Sequence, residues 1–160
     1  MRWGSLLIAV GVALVGLCGA ARAEPSPALG LWANPKQGWV IETLPCESGI
    51  CGRLVSFLKG NLPDYVARDS QNPDKSKRAT PLCGMMLIGG FKPAAGSDHK
   101  WEHGWVYDPD TGSTYSGEAE ITNGNEINVR GYVLIPLLGS TITLVRQTDE
   151  IQRCAVPSKN

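Results

Sequence analysis

The chain has 160 residues with balanced charge, 15 Lys and Arg against 15 Asp and Glu, and it carries 19 glycines and five tryptophans. That length suits one folded unit with its own core. The absence of a basic block argues against nucleic acid or an anionic membrane as the main partner, and after Pro25 no apolar run approaches the length of a spanning helix.

The first residues read as an address. Met1-Arg2 is a short positive start, Leu6 to Leu17 is apolar, and Ala21-Arg22-Ala23 is a small-x-small cleavage site before Glu24-Pro25. This is the pattern of a secretory signal peptide over residues 1–23, too short for a good membrane span. It predicts a mature domain of residues 24–160 in the periplasm or outside the cell. A lipoprotein signal at Cys18 is disfavoured, because Leu17 stands where a small residue is needed. Losing Arg2 and Arg22 leaves 13 basic against 15 acidic residues, a net charge of about −2.

Glu24 to Leu29 is a Pro/Ala/Ser leader, followed by Gly30-Leu31-Trp32. Gln37-Gly38 turns into a first clear strand, Trp39 to Leu44, ended by Pro45 and Cys46. Cys51 to Leu58 is a second strand with Arg53, Val55 and Phe57 on one face. Gly60 to Pro81 has little to bury besides Leu62, Tyr65 and Val66, and Asn72-Pro73-Asp74 is turn chemistry. At 22 residues it exceeds an ordinary connection, which fits an ordered loop or one helical turn across a barrel mouth. Leu82 to Ile88 is a third strand, ended by Gly89-Gly90, and residues 92–99 form a loop.

Lys100 to Gly117 reads as a β-hairpin around which the rest is arranged. Trp101, His103, Trp105 and Tyr107 alternate along one face, Asp108 to Gly112 reverses the chain, and Tyr115 begins the return strand. There Tyr115, Gly117, Ala119 and Ile121 face one way, opposite Thr114, Ser116, Glu118 and Glu120, as in a half-buried strand. Asn123-Gly124 is a strong hairpin turn, because both positions favour positive φ. Ile127, Val129, Gly131 and Val133 then alternate with Glu126, Asn128, Arg130 and Tyr132. Leu134 to Gly139 is unusually apolar for a connection, and Thr141 to Arg146 is the last full strand before a tail carrying Cys154. These segments predict an all-β chain of about seven or eight antiparallel strands, an up-and-down barrel or a two-sheet sandwich. The barrel is preferred, since successive hairpins close naturally and remove the exposed edge.

Cys46, Cys51, Cys83 and Cys154 remain after cleavage, an even number that implies disulfides in an oxidising compartment. Cys46 and Cys51 flank a four-residue loop between strand-like runs and could bond across a hairpin. That leaves Cys83 with Cys154, tying down the C-terminus. The rival arrangement joins Cys51 to Cys83 and Cys46 to Cys154. No Cys-x-x-Cys spacing supports zinc or a redox site.

Two features resemble the lipocalin-like calycins. Gly30-Leu31-Trp32 has the Gly-x-Trp pattern that opens those barrels, and Arg146 ends the last strand where calycins place a basic side chain over that Trp, a cation on an indole. The rest resembles a bacterial family of exported proteins, domain of unknown function family 2147. The resemblance rests on Gly30-Leu31-Trp32, Pro45-Cys46, Cys51 to Val55, Asp69 with Asn72-Pro73-Asp74, Arg78, Pro81 to Gly84, Gly104 to Pro109, Gly112, Tyr115, Gly131-Tyr132 and Pro136 to Gly139. It implies a calycin-type β-barrel in the periplasm or outside the cell, and no established catalytic residues.

Few residues suggest chemistry. His99 and His103 share a strand face but stand about 13 Å apart at roughly 3.3 Å per residue, too far for one metal. His103 lacks a serine in a Gly-x-Ser-x-Gly elbow. Glu118 and Glu120 share a face with Thr114 and Ser116, as on a solvated surface, and Asp69, Asn72 and Asp74 miss the spacing of a calcium loop. No catalytic residue, metal or cofactor is therefore expected. The binding candidates are the aromatic row Trp101, Trp105, Tyr107 and Tyr115, and Leu134, Ile135, Pro136, Leu137 and Leu138 as a portal or interface. The leading expectation is an exported, non-enzymatic lipocalin-like protein that binds a small hydrophobic or amphipathic ligand in the cell envelope. The alternative is an envelope protein-interaction module, an inhibitor or stress-linked accessory factor, with a filled barrel and contacts through Gly60–Pro81 and Val133–Gly139. A homodimer is compatible with either; nucleic acid and a transmembrane span after cleavage are not expected.

Overall fold

A computed structural model describes residues 25–58 and 67–155. Residues 1–24, which include the expected signal peptide, residues 59–66 with Leu62, Tyr65 and Val66, and residues 156–160 lie outside them. Eight strands follow one another: β1 (Gly30–Asn34), β2 (Trp39–Cys46), β3 (Gly49–Phe57), β4 (Met86–Pro93), β5 (Lys100–Asp108), β6 (Ser113–Asn123), β7 (Glu126–Tyr132) and β8 (Ser140–Arg146). Each pairs antiparallel with its chain neighbour, and β8 returns to β1 through Trp32 opposite Arg146 and Ala33 opposite Val145, so the barrel is closed. Closure of this kind removes the two free edges of an open sheet.

The alternation of the sequence sets the two faces. Trp32, Ile41, Leu54, Ile88, Phe91, Trp101, Ala119, Ile127, Val129 and Leu144 meet inside as one core. Between them, outward, stand Glu42, Arg53, Glu118, Glu120, Asn128, Arg130, Thr141 and Thr143. Up-and-down connectivity places the turns of β1–β2, β3–β4, β5–β6 and β7–β8 at one end, the long-loop end. The other end carries Trp32 and the remaining turns.

Two boundaries differ from expectation. β2 does not stop at Pro45: it runs through Cys46, with Pro45 opposite Ile50 and Cys46 opposite Gly49. The strand expected over Leu82 to Ile88 begins only at Met86 and continues past Gly89-Gly90 to Pro93. Leu82 and Gly84 are instead bonded as turn residues, to the carbonyls of Ala67 (2.9 Å) and Leu54 (2.8 Å). The glycine pair serves the strand rather than ending it. A Cβ on Gly89 would sit 2.6 Å from the Trp105 ring, and Gly90, at φ 73°, takes up an extra residue so that Phe91 turns inward.

A second bulge lies beside it. Trp101 pairs with Ala119 and Gly104 with Gly117, three residues of β5 against two of β6. His103 takes the left-handed conformation at φ 61°. Phe91 then lies across the Gly104–Gly117 pair, where added Cβ atoms would come within 2.5 and 2.8 Å of its ring. Glycine is required there by close approach.

The segment after β8 straps the outer face of β1–β3. Ile151 packs on Ala33, Val40 and Val55, the Ser56 hydroxyl donates to the Gln152 carbonyl at 2.6 Å, and the Cys154 N–H donates to Val55 O at 2.8 Å. Cys154 bonds to Cys83, and Cys46 bonds to Cys51 across the β2–β3 turn. Glu42 holds the strap from below, accepting from Arg153 (2.6 and 3.0 Å) and Arg53 (2.8 and 3.1 Å). The Arg153 hydrogen bond, helped by Arg53 and opposed by partial burial, lowers its carboxyl from 4.5 to about 2. A carboxyl depressed on folding contributes stability above its unfolded value and loses that contribution as pH falls through its folded one. Glu42→Gln should therefore lower the thermal midpoint at pH 6, with the difference shrinking below pH 4.5 and lost as pH falls through about 2. Parallel melts of the two proteins across that range check it.

Candidate functional site

The expected aromatic row does not form. The bulge at His103 resets the alternation of β5. Trp101, before it, points inward and is 3% exposed, whereas Trp105, after it, lies outside over Gly89 and is 37% exposed. Val106, opposite Tyr115, takes the inward place, and Tyr107 is paired with outward Thr114. Trp101 thus lies in the core and Tyr107 packs against its edge, Tyr115 is only half-buried, and Trp105 stands outside. One extra residue in a strand moves every later side chain to the other face.

Tyr107 has another partner, not foreseen from the sequence. Its hydroxyl donates to Asp69 Oδ1 at 2.6 Å, and Asn72 Nδ2 donates to Asp69 Oδ2 at 2.5 Å. Asp69 is 1% exposed and anchors the β3–β4 segment beside the β5–β6 turn. Burial, and then the Asp69 carboxylate, push the Tyr107 hydroxyl up to about 12. The Asp69, Asn72 and Asp74 oxygens are taken up in this anchor and in turns: Asp74 caps the short 3-10 turn Lys75–Lys77 by accepting from the Ser76 N–H.

The Trp32 end is sealed. The Arg146 guanidinium lies 4.0 Å from the Trp32 ring centroid and donates to the carbonyls of Leu29 (3.1 Å), Gly124 (3.3 Å) and Pro27. Burial lowers its pKa below the ordinary value. The Trp32 indole N–H donates to Ala28 O at 2.9 Å. Cation–π stacking and the carbonyl contacts together close this end without leaving a polar group unpaired.

Between the ends, side chains fill the barrel. Trp32, Ile41, Phe91, Trp101, Val129 and Leu144 leave a space of about 20 Å³, room for about one water molecule and far below the few hundred Å³ of a typical ligand pocket. A larger hollow of about 270 Å³ lies against the outer face of β5–β8, walled by Lys100, Glu102, Glu118, Glu120, Asn128, Arg130 and Thr141. Lys100 pairs with Glu120 at 3.2 Å. His99 stands outside the barrel against Asp98 (2.9 Å), and His103 is exposed beside Glu102.

The long-loop end carries the most unusual surface. Val133, Leu134, Ile135, Leu137 and Leu138 are 49–81% exposed, although a 3-10 turn over Pro136–Leu138 orders this loop. Arg130 fixes it from β7. Its guanidinium donates to Pro136 O (2.5 Å), Leu137 O (3.1 Å) and the Thr141 hydroxyl (2.8 Å). Arg130 stands directly opposite Glu118 yet bonds to the loop instead. The loop carbonyls are satisfied inward and the apolar side chains are turned out. The sequence signal for this clamp is an outward Arg three residues before an apolar run.

With this geometry established, comparison places the chain. The family model described as "Uncharacterized protein conserved in bacteria (DUF2147)" matches residues 30–146. The chain belongs to this family. Its fold is that of lipocalins: a solved structure titled "Protein HP1028 from the human pathogen Helicobacter pylori belongs to the lipocalin family" matches with a TM-score of 0.64 at 16% identity, covering 76% of this chain and 83% of that one. No curated protein matches. The matched family segment begins at Gly30 and ends at Arg146, so it holds both members of the Trp32–Arg146 contact and both bulges.

Proposed function

We propose that this family member is an exported, non-enzymatic envelope module that works through a contact surface at the long-loop end of a filled lipocalin-type barrel. Residues 1–23 would be the signal peptide, and residues 24–160 the mature domain in the periplasm or outside the cell; the two disulfides fit an oxidising compartment. The observation that carries this reading is the Arg130-clamped loop, which presents five apolar side chains to solvent in an ordered conformation. Exposed apolar patches of this kind mark contact sites.

A small hydrophobic ligand inside the barrel fits the fold family but finds about 20 Å³ there. A polar or amphipathic small molecule has a second possible seat, the outer hollow of about 270 Å³ beside Glu118. The test is a photo-reactive residue in place of Leu137, in cells, against the same probe at Ser97 on the Trp32 end. Adducts with an envelope component at 137 and not at 97 are expected. Equal labelling at both positions, or none, contradicts the proposal.

A further inference from the structure

The fold gathers basic side chains at one end, three of them already close in the sequence as Lys75-Ser76-Lys77-Arg78. Up-and-down connectivity brings the β1–β2, β3–β4, β5–β6 and β7–β8 connections to one end. Among the described residues those connections carry Lys36, Arg68, Lys75, Lys77 and Arg78 against Asp69, Asp74 and Asp110, with Asp108 closing β5. Asp69 is buried under Tyr107, and Asp74 is engaged with Ser76 and Lys77. The opposite end carries Glu47, Asp98, Asp149 and Glu150, with Glu126 opening β7, against Lys100 opening β5 and Arg146 closing β8, and its Arg153 is held by Glu42. By formal charge the long-loop end, five basic against four acidic, is slightly positive, and the Trp32 end, five acidic against three basic, is slightly negative.

Two aromatic side chains extend the same surface. Trp105 and Tyr132 lie on the outer face, both opposite Ser116 of β6, and Tyr132 is the last residue before the apolar loop. A Trp or Tyr with an apolar body and a polar tip suits the zone between water and hydrocarbon.

Resting on the reading above, we infer that the long-loop end docks on an anionic lipid bilayer. Leu134, Leu137 and Leu138 enter the headgroup–acyl boundary and the basic side chains face the lipid phosphates. An ordered loop pays little ordering entropy on insertion, since Arg130 has already fixed its backbone. Apolar insertion plus cationic attraction is the pair of signals that stable peripheral binding takes. Among the described residues no helix is long and apolar enough to cross a membrane.

The experiment is flotation of the mature chain with phosphatidylglycerol-containing vesicles and with phosphatidylcholine vesicles. Flotation with the anionic vesicles is expected, weakened as salt rises past physiological strength. Leu134→Asp with Leu137→Asp should weaken it at least tenfold, and Lys75→Gln with Lys77→Gln about fivefold for each charge lost. Those side chains are exposed, so melting temperatures should not move. Failure to float at low salt, or flotation that ignores either pair of substitutions, overturns the inference. So does a loop-dependent dimer in sedimentation without vesicle binding, which would make a second copy the occupant. If vesicles are not bound while Leu137 still labels an envelope component, the bilayer is wrong and the contact surface stands; if both fail, both fall.

Discussion

Replacing Trp32 by Ala is expected to cost about 3–5 kcal/mol and to lower the thermal midpoint by roughly 10 °C. Trp32 has no exposed surface. It touches the core from β1, gives its indole N–H to Ala28 O and receives Arg146 on its face. Truncation removes all three at once, and the carbonyls of Leu29, Gly124 and Pro27 lose the fixed position of their donor. Because Trp32 and Arg146 are also the pair through which β8 returns to β1, the loss should appear first at the closure. Hydrogen exchange should speed up at Ala33 and Val145 before it does at Ile88. Circular-dichroism melts and residue-resolved exchange check both points; a midpoint within a degree or two of the parent would contradict the role given to the stack.

The second large effect concerns the strap. Cys83–Cys154 spans 71 residues, whereas Cys46–Cys51 spans 5. On the chain-entropy model the long bridge stabilises by about 4 kcal/mol and the short one by about half of that. Cys83→Ser with Cys154→Ser should therefore lower the midpoint by roughly 10 °C, and Cys46→Ser with Cys51→Ser by markedly less. The long bridge also holds Ile151 on Ala33, Val40 and Val55. Its removal should raise exchange at Val40 and Val55 while leaving β5–β7 protected. Equal destabilisation by the two pairs would show that the strap is held by packing and the Glu42–Arg153 contact rather than by the bridge.

Much of this architecture was legible in the residues. The strict alternation of Tyr115–Ile121 and Ile127–Gly131, with Asn123-Gly124 between them, sets β6 and β7 and their inward faces. Gly-x-Trp and the distant Arg146 marked the closing pair, and local spacing favoured the observed bridge between Cys46 and Cys51. The failures have one physical source, irregular backbone. A period-two count carried from Trp101 through Trp105 assumes an unbroken ladder, and His103, a residue with a Cβ at φ 61°, gives no sequence warning of a bulge. Gly89-Gly90 reads as a terminator because glycine commonly ends strands; its use here, to admit Trp105 and turn Phe91 inward, depends on a neighbouring strand. The slight end-to-end charge difference depends instead on strand connectivity. Lys75, Lys77 and Arg78 stand together in the chain, and the alternation of turns brings Lys36 to the same rim.

The central claim, a filled barrel that acts through its surface, is tested most directly by titrating the mature chain with a fluorescent fatty acid, following tryptophan emission and counting bound molecules by native mass spectrometry. The structure predicts no saturable one-to-one uptake, because the interior around Trp32 and Trp101 leaves about 20 Å³. Stoichiometric uptake that quenches tryptophan and persists in the Leu134→Asp, Leu137→Asp protein would place a ligand inside the barrel and contradict it.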